Sequence, residues 1–273
     1  MLGAHGPGWP TGTDMHPHAP LLRLLMVIAP LLPCAAAAQH ADATPSFDRP
    51  GLGIGTDTVA RGAWAVEMGL PDWERDRDRD GVRSDLLGTD ATLRTGLSQT
   101  LELQLILTPW QRLREHARGP GRQHIEGAGD SEIGVKWAPG SGDTGRWAAL
   151  ASTTLAKGEA AFSDGRRYSL AATYEYPFSK RITGALYGRY SRGDGDWTGV
   201  WSPSLTMTFN PRWSGFLEAG FTRERGQQKT SVAGGGVIWA PRAGLQFDAS
   251  VDLGLDADSP DLQAGLGVSF YLR

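Results

Sequence analysis

The sequence predicts an all-β fold: a closed antiparallel transmembrane β-barrel of about twelve strands, with short periplasmic turns and longer extracellular loops. Three observations predict it. The first is alternation, clearest from Leu245 to Leu272. There Leu245, Phe247, Ala249, Val251, Leu253 and Leu255 interleave with Gln246, Asp248, Ser250, Asp252 and Gly254. After a loop at Ala257-Asp258-Ser259-Pro260, Leu262, Ala264, Leu266, Val268, Phe270 and Leu272 repeat the pattern. Successive side chains of a strand point to opposite faces, so this hairpin has one apolar and one polar face. The second is length: each strand reaches the roughly 9–11 residues that a membrane-spanning strand requires, where strands of soluble domains are nearer about five or six. The third is that short turns and long polar loops alternate along the chain, which places all short turns on one rim.

Composition is compatible with this reading. Of 273 residues, 37 are glycine and 10 tryptophan. Beyond the N-terminal region no apolar run reaches the about 18 residues of a transmembrane helix, whereas a barrel turns only every second residue to lipid. A net charge of −3 argues against a nucleic-acid surface. The single cysteine, Cys34, lies in a segment expected to be removed, which leaves the mature chain without disulfide or thiol chemistry.

Residues 1–38 read as a secretory signal peptide whose functional part is 15–38, with Met15 as the expected true start. Arg23 supplies the positive charge, Leu24 to Leu32 the apolar stretch, and Ala36-Ala37-Ala38 the cleavage site. A lipoprotein anchored at Cys34 is the competing reading, and Pro33 opposes it. Residues 39–60 are expected to be an irregular periplasmic lead-in, with Pro45, Pro50 and Gly51, Gly53 and Gly55. These glycines are not a dinucleotide fingerprint, because no strand precedes them and no apolar helix follows.

The barrel is expected over 61–273. Its first strand carries Trp64, Val66, Met68 and Leu70 on one face and Ala65, Glu67 and Gly69 on the other, before a charged segment, Asp72 to Asp85. The second sets Leu87, Ala91, Leu93, Thr95 and Leu97 against Asp90, Thr92 and Arg94. After a tight turn the third sets Leu101, Leu103, Leu105 and Leu107 against Glu102, Gln104 and Thr108. A long polar loop is expected at 111–128. The fourth strand has Ile133, Val135 and Trp137 opposite Glu132 and Lys136, and the fifth Trp147, Ala149, Ala151, Thr153 and Leu155 on one side. The sixth sets Tyr168, Leu170, Ala172, Tyr174 and Tyr176 against Ser169, Thr173 and Glu175. The seventh, from Ile182, includes Leu186, Tyr187, Arg189 and Tyr190, and a loop at Arg192–Asp196 precedes the eighth, which ends in Leu205, Met207 and Phe209. The ninth has Leu217, Ala219 and Phe221 opposite Ser214 and Glu218, and the glycine-rich tenth, Val232 to Trp239, has the least defined facing. The final hairpin completes about twelve strands, an even number as bacterial barrels have. Trp64, Trp110, Trp137, Trp147, Tyr168, Phe178, Trp213, Trp239 and Phe270 lie near strand ends, where interfacial girdles require amphipathic rings. The competing reading is the aromatic core of a sandwich.

Several stretches resemble a bacterial outer-membrane transporter family labelled the MetA-pathway of phenol degradation. They are Arg49-Pro50-Gly51-Leu52-Gly53-Ile54-Gly55-Thr56-Asp57, Trp64-Ala65-Val66-Glu67, Gly69-Leu70-Pro71-Asp72-Trp73, Leu101-Glu102-Leu103-Gln104, Gly134-Val135-Lys136-Trp137, Trp201-Ser202-Pro203-Ser204-Leu205 and Ser259-Pro260-Asp261-Leu262. The resemblance covers nearly all of the mature chain and its motifs are structural rather than catalytic. It implies an exported outer-membrane barrel with a role in moving small aromatic compounds. Such barrels usually end on an aromatic residue read by the barrel assembly machinery; this chain ends Phe270-Tyr271-Leu272-Arg273.

By alternation, Glu67, Asp90, Arg94, Glu102, Glu132, Lys136, Glu175, Arg189, Glu218, Asp248 and Asp252 point into the lumen. An Arg or Lys on the lipid face at mid-bilayer would cost about 2–4 kcal/mol. Two readings of the lining stay open: a charged ring that selects solutes, or salt bridges that fill a narrow barrel. Asp76-Arg77-Asp78-Arg79-Asp80-Gly81 resembles half of a calcium loop, but the position of the bidentate Glu is Leu87 and the arginines oppose a cation. No zinc spacing is present. The mature histidines, His40, His116 and His124, lie in the lead-in and one loop, which disfavours an outer-membrane hydrolase. No catalytic residue, cofactor or metal is therefore expected. The expected partners are outer-membrane lipid and lipopolysaccharide, the assembly machinery and small-molecule solutes. The expected function is passive movement of small molecules, with specificity from lumen charges and from the loop 111–128 folded over the mouth. The alternatives are a structural or surface-interaction barrel with a filled lumen, a barrel hydrolase, and a secreted soluble β-sandwich.

Overall fold

A computed structural model describes residues 44–77, 81–116, 122–140, 145–193 and 195–273. The signal peptide and the centre of the Asp76–Gly81 segment lie outside the described residues. Thirteen strands are present among them: β1 (Trp64–Arg77), β2 (Arg83–Gly96), β3 (Leu101–His116), β4 (Arg122–Gly127), β5 (Ser131–Trp137), β6 (Arg146–Ala156), β7 (Tyr168–Pro177), β8 (Ile182–Gly193), β9 (Asp196–Asn210), β10 (Trp213–Glu224), β11 (Thr230–Arg242), β12 (Leu245–Gly254) and β13 (Leu262–Leu272). Each barrel neighbour is antiparallel, β1 pairs with both β2 and β13, and the β2–β3 pairing closes the ring. β3 pairs with β5 along its first half and with β4 along its second, so β4 and β5 are two pieces of one stave. The wall is therefore a closed twelve-stranded barrel. Closure removes the unpaired backbone edges that lipid would not tolerate.

Polarity is reversed relative to a soluble protein. Glu67, Arg94, Glu102 and Lys136 are fully buried, while Leu170, Leu217, Leu253 and Leu266 are more than half exposed. The exposed apolar side chains are the lipid face. In β11 the facing is now defined: Val237 and Trp239 are exposed and Val232 is buried. Its glycines have a packing reason, since a Cβ at Gly236 would strike the inward Phe216 ring and one at Gly234 the Asp252 carboxylate. Aromatic pairs mark both rims. Trp137 and Trp147 meet edge-to-face at 4.7 Å, and Trp213 stacks on Trp239 at 5.9 Å, beside the short turns. Trp201 stacks on Phe221 at 4.3 Å toward the opposite rim.

Four expectations need correction. The segment 39–60 is not a free periplasmic lead-in: its described part, 44–60, is irregular but runs inside the barrel. The described parts of the stretch 111–128 are wall rather than lid, because β3 continues to His116 and pairs with β4, which prolongs the wall. The charged segment 72–85 is mostly strand for the same reason, with Asp72↔Gly88 through Arg77↔Arg83 in register. The Arg192–Asp196 loop shrinks to a turn, because Gly193 pairs with Asp196. In the last three cases charge was read as loop, whereas these strands extend beyond the membrane, where both faces are free to be polar.

The loop that does pack at the mouth is 157–167. It docks where β4 breaks from β5: Gly158 N and Asp164 N donate to the Asp130 carboxylate at 2.8 and 3.0 Å, and Glu159 N donates to Ala128 O at 2.9 Å. A side chain on Gly127 would collide with Glu159. Hydrogen bonds to a charged acceptor contribute about 1.5–3 kcal/mol each. Asp130→Ala is therefore expected to loosen this loop, accelerating trypsin cleavage after Lys157 or Arg166 at least tenfold while the barrel stays resistant. Limited proteolysis in detergent checks it.

Candidate functional site

The segment 44–60 touches strands spaced around the whole ring, which is possible only from inside it. Three clusters hold it. In the first, Arg94 of β2 donates Nε to Glu102 Oε1 at 2.7 Å and Nη1 to Glu67 Oε1 at 2.6 Å. Its remaining donors reach the segment's backbone at Ser46 O, 3.1 Å, and Asp57 O, 3.3 Å. The same carboxylates accept backbone N–H groups of the segment, Arg49 N to Glu67 and Val59 N to Glu102, each at 2.7 Å. Asp48 enters this cluster from the segment and accepts from Lys136 Nζ and Gln104 Nε2, both at 2.9 Å.

The second cluster surrounds Arg49. Its guanidinium reaches Asp90 at 2.8 Å, Asp72 at 3.3 Å and Asp248 at 3.5 Å, and Gln246 Nε2 donates to its carbonyl oxygen at 2.9 Å. The β1 register shift between Gly69 and Asp72 turns both inward, and Asp72 thereby joins this cluster. In the third, Thr56 Oγ1 donates to Glu175 at 2.6 Å, and Arg146 bridges Asp57 and Glu175 at 2.9 and 2.8 Å. Between the clusters, Gly51 has a φ of +108°, a conformation side chains disfavour, and directs Leu52 N to Glu218 at 2.9 Å. A Cβ at Gly96 would overlap the Val59 carbonyl, so the smallest residue marks where the segment leaves the lumen.

Of the eleven residues expected to line the lumen, Glu67, Arg94, Glu102, Lys136, Glu218, Asp248 and Asp252 are buried. Glu67, Asp90, Arg94, Glu102, Lys136, Glu175, Glu218 and Asp248 engage the inserted segment directly or through an ion pair. Glu132 and Arg189 pair with each other at 2.9 Å, away from it. Asp252 is buried beside Gly234, and its Oδ1 has no partner among the described residues. The ion pairs therefore run mostly between wall and segment, an arrangement neither reading of the lining contained. Sequence reasoning missed Asp48, Arg49, Asp57, Gln104 and Arg146. A signal was present: the stretch Arg49–Asp57 carried the family resemblance inside a segment read as a mere connector.

Between segment and wall a cavity of about 150 Å³ remains. Leu52 and Ile54 of the segment and Ile106, Leu150, Ala171 and Tyr187 of the wall give it apolar sides. Gln104, Ser152, Ser169 and Arg189 give it polar ones. Beyond it, the prolonged wall turns Leu86, Leu113 and Ile125 inward in one row of paired positions.

A closed barrel with a lipid-facing apolar surface, aromatic rims and an ion-paired lumen defines an integral barrel of the outer membrane. Within that class the chain belongs to the family described as "Putative MetA-pathway of phenol degradation", which matches residues 47–272. The match begins in the inserted segment. No curated protein matches the sequence. Among solved structures, the chain is similar to the COG4313 outer membrane channel from Pseudomonas putida F1, with a TM-score of 0.67 and 12% identity, covering 80% of this chain and 98% of that one. It is also similar to the translocator domain of the autotransporter NalP from Neisseria meningitidis, with a TM-score of 0.53 and 13% identity over 82% and 90%. The β domain of the Bordetella autotransporter BrkA gives 0.52 and 13% over 77% and 99%. At these identities the likeness is one of fold.

Proposed function

We propose that the protein is a passive outer-membrane channel or transporter for small molecules, aromatic compounds among them, and that the inserted segment 44–60 controls what passes. The observation that carries this reading is the cavity between segment and wall. A cavity of about 150 Å³ with apolar sides is the size that takes up a benzene ring. The polar end at Gln104, Ser152 and Arg189 would receive a hydroxyl group. The family description, which names phenol degradation, and the channel fold of the Pseudomonas relative support the same direction. Movement down a gradient asks for no catalysis, cofactor or nucleotide. Export through a cleaved signal peptide at 15–38 completes the reading.

Proteoliposomes holding the refolded mature chain, from Gln39, test it. Phenol influx above that of protein-free vesicles is expected, with little influx of a doubly charged aromatic of the same size. Leu150→Trp fills the cavity and is expected to lower phenol influx several-fold while folding is retained. The inserted segment also favours a second reading, a barrel permanently filled for a structural role. Correctly folded protein with neither solute influx nor ion conductance would establish that one instead.

A further inference from the structure

The wall beyond the outer aromatic residues has an uneven charge. On β1, β2 and β3 the outward positions alternate with inward ones through the prolonged strands. In register they read Arg77↔Arg83↔His116, Arg75↔Asp85↔Arg114 and Trp73↔Leu87↔Arg112, with Trp110 next along β3. Two ring contacts show that the arginines share a face with the aromatics: the Arg75 guanidinium lies 4.6 Å from the Trp73 ring centroid, and that of Arg112 lies 5.2 Å from Trp110. Five arginines therefore crowd one outer face. Asp85, held between Arg75 at 3.2 Å and Arg83 at 2.7 Å, and Glu126, paired with Arg112 at 2.7 Å, balance only part of that charge. Arg77 and Arg114 are exposed.

From this geometry we infer that the face is a docking site for lipopolysaccharide, with the arginines on the lipid A phosphates and Trp73, Leu87 and Trp110 against the acyl chains below. The height is right, because aromatic side chains sit at the level where hydrocarbon gives way to headgroups. So is the side, because the rim of prolonged strands and longer loops faces the cell exterior in such barrels. The width also fits: three neighbouring strands at roughly 4.8 Å spacing span about 10 Å, the scale of a phosphorylated disaccharide. Arginine suits the task, since its planar fork binds phosphate in a bidentate manner. The Asp85 pairs hold two of the forks in place before a phosphate arrives. This inference is independent of what crosses the lumen.

The test is a binding titration of the full mature chain in a neutral detergent with Kdo2-lipid A as the probe. Arg75→Glu/Arg112→Glu/Arg114→Glu is expected to weaken binding at least tenfold. The milder Arg77→Gln/Arg114→Gln keeps every ion pair of Asp85 and Glu126 and is expected to weaken it several-fold. Arg181→Glu/Arg212→Glu, on the opposite rim, is expected to leave it unchanged. Lipid A without its phosphates should bind wild type as weakly as the triple variant binds Kdo2-lipid A. Retained heat-modifiable migration on gels confirms that the variants are folded. Equal binding by wild type and both patch variants would overturn the inference, as would equal loss from the opposite-rim variant or equal affinity for phosphatidylglycerol micelles.

Discussion

Removal of residues 44–58 is expected to raise single-channel conductance several-fold. The segment crosses the lumen and is tied to the wall by Asp48, Arg49, Thr56 and Asp57. Conductance follows the open cross-section, which a chain running through the lumen reduces. The wall itself does not need the segment, because its backbone hydrogen bonds run from strand to strand around the closed ring. Its inward charges would exchange a chain partner for water. Planar-bilayer recording of wild type and deletion side by side checks this. Asp48→Ala/Arg49→Ala, which removes the segment's side-chain ties in two of the three clusters and leaves its backbone ties, is expected to give intermediate behaviour, with brief large openings over a small baseline. An unchanged conductance in both variants would mean that the constriction lies elsewhere and that the segment does not control passage.

Arg94→Met is expected to destabilise the folded barrel by about 3–5 kcal/mol, the range for stranding one side of a buried ion pair. Arg94 is fully buried and stands between Glu67 and Glu102, themselves fully buried. Its loss leaves two carboxylates facing each other, with Asp48 close by at 3.5 Å from the vacated Nη1 position. Arg94→Lys should fall between the two, because one ammonium cannot reproduce the paired bonds to Glu102 at 2.7 and 3.1 Å while also reaching Glu67. Urea unfolding in lipid vesicles, followed by tryptophan fluorescence, measures both. Glu102→Gln is a useful contrast. It keeps an acceptor for Val59 N and removes a charge, so its effect should be smaller than that of Arg94→Met.

Much of this architecture was legible residue by residue. Glu67 between Val66 and Met68, or Asp248 between Phe247 and Ala249, declares its face because period-2 alternation is a local property of the strand. Trp137, Trp147, Trp213 and Trp239 could be placed at a rim because turns adjoin them. Where the reading failed, the local signal was ambiguous. Arg75, Arg77, Arg112 and Arg114 looked like loop because charged residues dominate both faces around them, although outside the membrane a strand can be polar on both faces. The gap of β4 from β5 at 128–130 was read as the end of a loop, because nothing local says that loop 157–167 will dock there.

The sequence by itself determined the barrel: the number of its staves, the rims and the family. Alternation, strand length and turn spacing are each written within a few neighbouring residues. Only the tertiary structure decided that the lumen is occupied and what the inward charges hold. Asp48 meets Lys136, Arg49 meets Asp248 and Leu52 meets Glu218 across separations of 88, 199 and 166 residues, so no local pattern contains those contacts. They exist because a closed ring of inward charges is costly to leave unpaired, and the glycine-bearing chain beside β1 is near enough to enter and pair with them.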